Sequence, residues 1–142
     1  IDYFRGDQEN VLDRFFKASK KFPSDFYIRV TGDCPLLDHN IIDRLISKNE
    51  KNEYEYLSNT NPPTFPDGLD VEIFSQKILK KTYLNAKTKF DKEHVTPYIR
   101  RNSSFLGGEL FKSDNYQCEK DFNGVMHSIT EGKAKHPFPR DR

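Results

Sequence analysis

Hydrophobic residues in this chain alternate between the spacing of helices and the spacing of strands. Two helical stripes are clear, and each follows an aspartate that can act as an N-cap, Asp7 or Asp38. The first stripe comprises Val11, Leu12, Phe15, Phe16 and Ser19, and the second comprises Ile41, Ile42, Leu45 and Ile46. Similar spacing predicts two further helices, over residues 75–86 and 91–101.

Short apolar segments between these helices have the composition of β-strands. They cover residues 26–30, 54–57 and 69–74, and the polar residues 48–53 are expected to form a solvated turn. Residues 61–68 contain three prolines, which lack backbone donors, so this segment is predicted to be a shaped loop over a site. The alternation of strands and helices predicts an α/β layer fold with parallel strands.

The segment from Arg29 to Asp38 carries the leading candidate for chemistry. An apolar strand ends at Gly32, which permits a turn, and Pro35 prevents the strand from resuming. Asp33 is thereby placed at the carboxyl end of a strand, where open α/β folds form their ligand crevices. A carboxylate there suits a hard cation such as Mg²⁺, whereas the alternative is a plain turn residue, since Gly-Asp is common in turns.

Several other polar residues allow both a structural and a functional interpretation. Asp70 and Glu72 alternate with apolar residues, so they face away from the core and are either solvated or line a pocket. Glu93 fits a helix start, which favours acidic residues, and His94 is then an ordinary surface histidine. The alternative is that the two residues serve acid–base chemistry. The arginines at 100–101 fit a favourable interaction with a helix C-terminus.

Composition excludes several classes of function. The 142 residues include 23 basic and 22 acidic side chains, so the net charge of +1 creates no field that would attract nucleic acid or an acidic membrane. No apolar run approaches the roughly 18 residues that span a bilayer. Cys34 and Cys118 show no zinc or disulfide spacing, which is typical of a reduced, cytoplasmic protein.

Several segments, in this order along the chain, carry a resemblance to a known family. They are Phe4-Arg5-Gly6 with residues 10–14, then Arg29 to Leu36, then Ser58-Asn59-Thr60, then Phe65 to Phe74, and finally Phe90 to Arg101. Together they resemble the cytidylyltransferases of the spore coat polysaccharide biosynthesis protein F type, related to acylneuraminate and 3-deoxy-manno-octulosonate cytidylyltransferases. The resemblance covers roughly residues 1–104.

The resemblance implies a Rossmann-like αβα sandwich of the nucleotide-diphospho-sugar transferase type. It implies a Mg²⁺-dependent transfer of CMP from CTP to a sugar acid for surface polysaccharide biosynthesis, with neither nucleic acid nor membrane as partner. Asp33 would be the metal ligand and catalytic residue. The residues expected on the sugar side are Asp67, Asp70, Glu72, Glu93 and His94, and those expected in the nucleotide half are Arg5, Asp13 and Arg14. Relatives are often dimers, so a homodimer is possible.

The sequence also departs from the family pattern at both ends. It begins with Ile1, and the family's first strand and basic phosphate loop have no counterpart, so we expect a partial chain with little activity alone. Residues 1–104 are expected to form the partial nucleotidyltransferase domain, and residues 105–142 a divergent or poorly ordered tail. Two alternatives remain open, another sugar-nucleotide enzyme such as a glycosyltransferase and a non-catalytic remnant of the fold.

Overall fold

The computed structural model describes residues 2–34 and 37–118. The strands in this part of the chain are β1 (Phe26–Arg29), β2 (Tyr56–Ser58), β3 (Glu72–Ser75) and β4 (Ser113–Asn115). The helices are α1 (Val11–Lys21), α2 (His39–Asn52), α3 (Gln76–Asn85), α4 (Lys89–His94) and α5 (Pro97–Arg101), with a short 3₁₀-helix at Ser104–Leu106.

The four strands form one sheet in the order β1–β3–β2–β4. β3 pairs antiparallel with both β1 and β2, and β4 pairs parallel with β2. The expectation of parallel strands is therefore wrong for two of the three pairings within the described residues. The reason is the loop of residues 59–71, which returns the chain directly beside β2, whereas a parallel neighbour would need a crossover connection.

One face of the sheet packs against α1, α3 and α5. Tyr56 and Phe74 are register partners on β2 and β3 and contribute their rings to this side. They join a core whose helical members include Leu12, Ile78, Leu79 and Ile99. Burial of these aromatic and aliphatic side chains provides most of the free energy that stabilises the packing of the helices on the sheet.

The opposite face packs against α2. Leu57 and Ile73, also register partners, point to this side together with Val71. They contact Ile41 and Leu45, which belong to the apolar stripe predicted from the sequence. Helices therefore cover both faces of the sheet, and the predicted αβα sandwich is confirmed.

The N-caps of the first two helices were predicted with different success. Asp38 caps α2, since its carboxylate accepts from the Asn40 N–H at 2.9 Å. Asn10, and not Asp7, caps α1 through a hydrogen bond from the Asp13 N–H. Asp7 lies three residues earlier and accepts from the Asn10 N–H, so it shapes the turn that leads into the helix.

The polar segment 48–53, which was expected to form a solvated turn, instead forms the last part of α2 and its C-cap. α2 continues to Asn52, and Glu53 ends it in a left-handed conformation. Asn49 is buried, and Lys48 pairs with Asp114 at 2.7 Å. Contacts with the distant β4 thus keep polar residues helical, which local sequence does not indicate.

The single helix predicted over residues 91–101 is broken in two at Val95. Val95 has φ 68° and ψ −55°, and the Thr96 N–H donates to the His94 carbonyl at 2.8 Å. This is a γ-turn with positive φ, a rare and strained conformation for a β-branched residue. The turn sets the angle between α4 and α5, whose ends carry the polar residues described below.

The chain beyond residue 104 continues into the same sheet through β4. Phe111 is buried in the core, and Asn115 is buried beside β2. The remainder of the predicted tail, residues 119–142, lies outside the described residues. Within the described residues, none of the helices has the length and apolar character needed to cross a bilayer.

Candidate functional site

Asp33 lies in the turn that follows β1 and is exposed. The turn is closed by the Cys34 N–H, which donates to the Thr31 carbonyl at 3.1 Å. Hydrogen bonds from the Thr31 hydroxyl and from its own backbone N–H lower the pKa of the Asp33 carboxyl below its ordinary value. Asp33 is therefore an ionised, accessible carboxylate at the end of a strand.

A second carboxylate, Asp70, lies on the loop between β2 and β3. Although the residue is exposed as a whole, partial burial of its carboxyl raises its pKa, and the charges of Asp67, Glu72 and Asp33 raise it further. The register of β1 and β3 pairs Arg29 with Glu72, so Asp33, after β1, and Asp70, before β3, lie beyond the same end of the sheet. Asp33, Asp67 and Asp70, all predicted from the sequence, are called the acidic region below.

The loop that carries Asp67 and Asp70 is held by two buried asparagines. Asn59 donates to the Leu69 carbonyl at 2.7 Å and accepts from the Val71 N–H at 2.8 Å. Asn115 of β4 donates to the Pro62 carbonyl at 3.1 Å. Side-chain amides of this kind satisfy backbone groups that an irregular loop leaves unpaired, and so fix its shape.

Glu72 is the centre of a buried polar cluster. Its carboxylate is 2 % exposed and accepts from Arg29 Nη1 at 2.7 Å and from Arg100 Nη2 at 2.8 Å and Nε at 3.2 Å. The hydroxyls of Tyr56 and Thr96 donate to it at 2.7 and 3.3 Å. These five hydrogen bonds engage both carboxylate oxygens, so Glu72 holds its two arginines in place. The expectation that Glu72 faces away from the core is wrong, because these partners satisfy a buried carboxylate.

The charges in this cluster determine its protonation. Burial alone would raise the pKa of Glu72, but the positive charges of Arg100 and Arg29 outweigh burial, and the pKa lies below its ordinary value. Burial and the neighbouring Glu72 charge raise the pKa of Tyr56, so that its hydroxyl stays protonated and donates. The cluster is therefore ionised, with two guanidinium groups around one carboxylate.

The two arginines also line a cavity of about 500 Å³ beside α4 and α5. Its other lining residues are Phe90, His94, Thr96, Pro97 and Arg101. The rings of Phe90 and His94 lie 4.5 Å apart, and both residues are exposed. Glu93, the neighbouring predicted site residue, is exposed on α4. The cavity thus combines cationic groups with an aromatic wall.

Arg101 is fixed at the rim of this cavity by the buried Asp91. Its Nη1 and Nη2 donate to the two Asp91 carboxylate oxygens at 2.8 and 3.0 Å. Hydrogen bonds from Arg101 are the main reason that the pKa of Asp91 lies below its ordinary value. This two-point pair connects α4 to α5 across the γ-turn.

Of the three residues predicted for the nucleotide half, Asp13 and Arg14 lie in the first turn of α1 and Arg5 lies in the segment before it. Asp13 accepts from Lys17 Nζ at 2.8 Å and from the Tyr83 hydroxyl at 3.2 Å. Arg14 donates to the Asp7 carbonyl at 3.2 Å, and Arg5 lies over the Tyr3 ring. These contacts organise the N-terminal segment and do not join it to the Asp33 region.

Sequence reasoning assigned no site role to Arg29 and only a helix-end role to Arg100. One signal was available, because Arg29 occurs in a predicted strand, where a charged residue needs a partner. The partner, Glu72, lies 43 residues further along the chain, in a strand whose antiparallel pairing with β1 was not predicted.

The acidic region offers ligands for a hard cation, although not a complete protein cage. Across residues 2–34 and 37–118, no three His, Cys, Asp or Glu side chains are grouped so that they could hold a metal ion. Mg²⁺ is commonly held by one or two carboxylates together with substrate phosphates, and the accessible, ionised Asp33 fits that pattern. Phosphates could therefore complete the site.

A larger cavity, of about 560 Å³, lies beside β1 and α2. It is lined by Phe26, Ile28 and Ile73 together with residues of α2 and residues 53–55. None of the predicted site residues lines it, so the chemistry is better assigned to the opposite face and the end of the sheet.

Comparison with protein families identifies residues 2–131 as a match to the family described as cytidylyltransferase. The chain is 42 % identical over 133 residues to an uncharacterized protein of Methanocaldococcus jannaschii, covering 94 % of this chain and 54 % of that protein. It is 33 % identical over 135 residues to the spore coat polysaccharide biosynthesis protein SpsF of Bacillus subtilis, covering 89 % and 54 %.

A solved structure shows the same fold. A cytidylyltransferase from Leptospira borgpetersenii superposes with a TM-score of 0.76 at 34 % identity, covering 83 % of this chain and 48 % of that one. This chain therefore spans about half the length of the proteins it matches.

Proposed function

Because this chain belongs to the cytidylyltransferase family, we propose that it contributes to a site that transfers CMP from CTP to a sugar acid. The observation that carries the proposal is the ionised, exposed Asp33 at the end of β1, the strand whose Arg29 lines a cationic cavity. An acidic region and a cationic region side by side suit a reaction between a nucleotide with its metal and an anionic acceptor. A role in surface polysaccharide synthesis is supported by the similarity to the spore coat polysaccharide biosynthesis protein SpsF of Bacillus subtilis.

In the proposed reaction, a hydroxyl oxygen of the sugar acid attacks the α-phosphorus of CTP. The new oxygen–phosphorus bond forms as the bond to the β-phosphate breaks, pyrophosphate leaves, and the hydroxyl proton passes to solvent. Bound Mg²⁺ would reduce the negative charge of the phosphates, and Asp33 is the residue that would hold it. Asp33 stays ionised because Thr31 and the turn backbone stabilise its charge.

The other acidic residues are proposed to position the sugar. Carboxylates of Asp67 and Asp70 can accept hydrogen bonds from sugar hydroxyls, and His94 faces the same cavity as the arginines. Arg5, Asp13 and Arg14 would act on the nucleotide by organising the segment before α1. The proposal also includes that the protein acts in the cytoplasm and forms a homodimer.

The test compares Asp33→Asn with Asp25→Asn, an exposed aspartate just before the opposite end of β1. We expect Asp33→Asn to weaken Mn²⁺ binding in the presence of CTP and to reduce any CTP-dependent pyrophosphate release of the chain at least about a hundredfold, whereas Asp25→Asn should change neither. Paramagnetic relaxation by Mn²⁺ in the presence of CTP measures metal binding separately. Unchanged activity and Mn²⁺ binding in Asp33→Asn would refute the role of Asp33, and preference for UDP-sugars over CTP would favour a glycosyltransferase.

A further inference from the structure

We infer that the cavity lined by Arg29, Arg100 and Arg101 binds the carboxylate of the sugar acid. This inference rests on the proposed function and adds where the acceptor's anionic group is held. The phosphates of CTP share the same oxyanion chemistry, so the experiment below includes both ligands.

The charge balance favours an anion in this cavity. Arg29 and Arg100 carry two positive charges around the single negative charge of Glu72, and Arg101 is balanced by Asp91. Among these ion pairs the cations outnumber the carboxylates by one, while Asp33 and Asp70 act on Arg29 and Arg100 from the acidic region without an ion pair. The Arg29 and Arg100 side chains are 19 % and 34 % exposed, so a ligand in the cavity can reach them.

The arginines also retain hydrogen-bond donors. A guanidinium has five N–H donors, whereas Glu72 contacts one nitrogen of Arg29 and two of Arg100. The planar guanidinium matches a carboxylate in a two-point geometry that lysine cannot reproduce. The donors are held in place before a ligand arrives, because Glu72 fixes both arginines.

The surroundings of the cavity distinguish a sugar acid from a triphosphate. Phe90 and Pro97 provide apolar walls against which the carbon face of a sugar ring can be buried. The volume of about 500 Å³ lies within the range of small-molecule sites. A triphosphate with its cation belongs instead beside Asp33, the proposed metal ligand, where a divalent ion would be attracted.

The cavity and the acidic region adjoin through Arg100. Arg100 donates to Thr60 and Glu72, which lie at the two ends of the loop that carries Asp70, while its guanidinium lines the cavity. A sugar acid with its carboxylate on Arg29 and Arg100 would therefore extend towards Asp70 and Asp33. The strained turn at Val95 supports this arrangement, since its neighbours His94 and Thr96 both line the cavity.

The inference is tested by calorimetric titration of the full chain without CTP or metal. The probes are N-acetylneuraminate and 3-deoxy-D-manno-octulosonate, each compared with its uncharged methyl ester. We expect at least one acid to bind more than tenfold tighter than its ester. We expect Arg100→Lys, which keeps the charge beside Glu72, to weaken acid binding about ten- to a hundredfold.

A second variant does not disturb the buried cluster. Phe90 is an exposed side chain, so Phe90→Ala should fold normally and weaken acid binding several-fold. The control is Lys77→Gln, which removes a 79 % exposed cation on α3 that pairs with Glu55. We expect this control to bind the acid as the unmodified chain does.

Three outcomes would overturn the inference. They are equal binding of acid and ester, unchanged acid binding in both cavity variants, and displacement of the acid by CTP alone, which would assign the cavity to nucleotide phosphate. Failure of the proposed function is distinguishable, because acid binding is measured without CTP and is expected to persist in Asp33→Asn.

Discussion

Replacing Glu72 by glutamine tests whether the buried carboxylate holds the two arginines in place. Glutamine has nearly the same shape but turns one acceptor oxygen into an NH₂ group. If the remaining oxygen takes the place that Tyr56 and Arg100 contact, the new NH₂ faces Arg29 Nη1, donor against donor. The substitution therefore removes a 2.7 Å ion pair and leaves two guanidinium groups close together without a neutralising charge.

The expected cost is about 3 kcal/mol of unfolding free energy. Removing one partner from a buried ion pair typically costs about 3–5 kcal/mol. The lower end applies here because Arg100 is one-third exposed, so water screens part of the repulsion. With a urea dependence of roughly 1.5–2 kcal/mol per molar, the unfolding midpoint should fall by about 1.5–2 M.

The assay is urea unfolding followed by far-ultraviolet circular dichroism. Glu50→Gln on the exposed face of α2 serves as the matched control and should shift the midpoint by less than about 0.3 M. A Glu72→Gln midpoint as close to the unmodified chain as that of the control would refute the reasoning, because the carboxylate would then contribute no more than a surface group.

The ion pairs of Glu72 with Arg29 and Arg100 also predict how the stability of the chain depends on pH. The folded-state pKa of Glu72 is below its ordinary value of 4.5, so its stabilisation is fully present above pH 4.5. It should be lost as the pH falls from 4.5 through the lower folded-state pKa. The stability difference between the unmodified chain and Glu72→Gln should therefore shrink in that range, and a difference that grows on acidification would contradict the assigned direction.

Two further predictions concern the junction of α4 and α5. Asp91→Ala should lower the unfolding free energy by about 1–3 kcal/mol, because it removes a buried acceptor of two hydrogen bonds from Arg101. The control, Lys92→Ala, changes an exposed residue and should alter the unfolding free energy little. Equal urea midpoints for the two variants would argue against this pair as a connection between the helices. Val95→Gly should be no less stable than Val95→Ala in the same assay, because glycine adopts the positive φ at this position without strain. In an ordinary helix, by contrast, glycine costs about 1 kcal/mol relative to alanine. A Gly variant clearly less stable than the Ala variant would show that the turn is not strained.

The layered architecture could be predicted because it depends on local periodicity. The stripe Ile41–Leu45 and the cap Asp38 determine α2 from within one segment of sequence, and both are confirmed. The antiparallel order of β3 could not be predicted in the same way. It depends on a loop of residues 59–71 whose path is fixed by Asn59 and Asn115, and no short-range pattern indicates those contacts.

The candidate site likewise has one part that could be predicted from the sequence and one part that could not. Asp33 was predictable because its position follows from where one strand stops. The cationic cavity was not, since it requires Arg29, Glu72 and Arg100 to meet across 43 and 28 residues of sequence. The break at Val95 was equally hidden, because the apolar spacing of residues 91–101 is compatible with one continuous helix.

The hydrogen bonds of Asn115 have a consequence for the order of events during synthesis. Asn115 accepts from the Asn61 N–H and donates to the Pro62 carbonyl, thereby anchoring the acidic loop more than fifty residues after that loop has been made. A growing polypeptide folds from its N-terminal side, so the loop waits for this distant anchor while earlier helices can already form. The loop that carries Asp67 and Asp70 therefore reaches its final shape only after synthesis has passed Asn115.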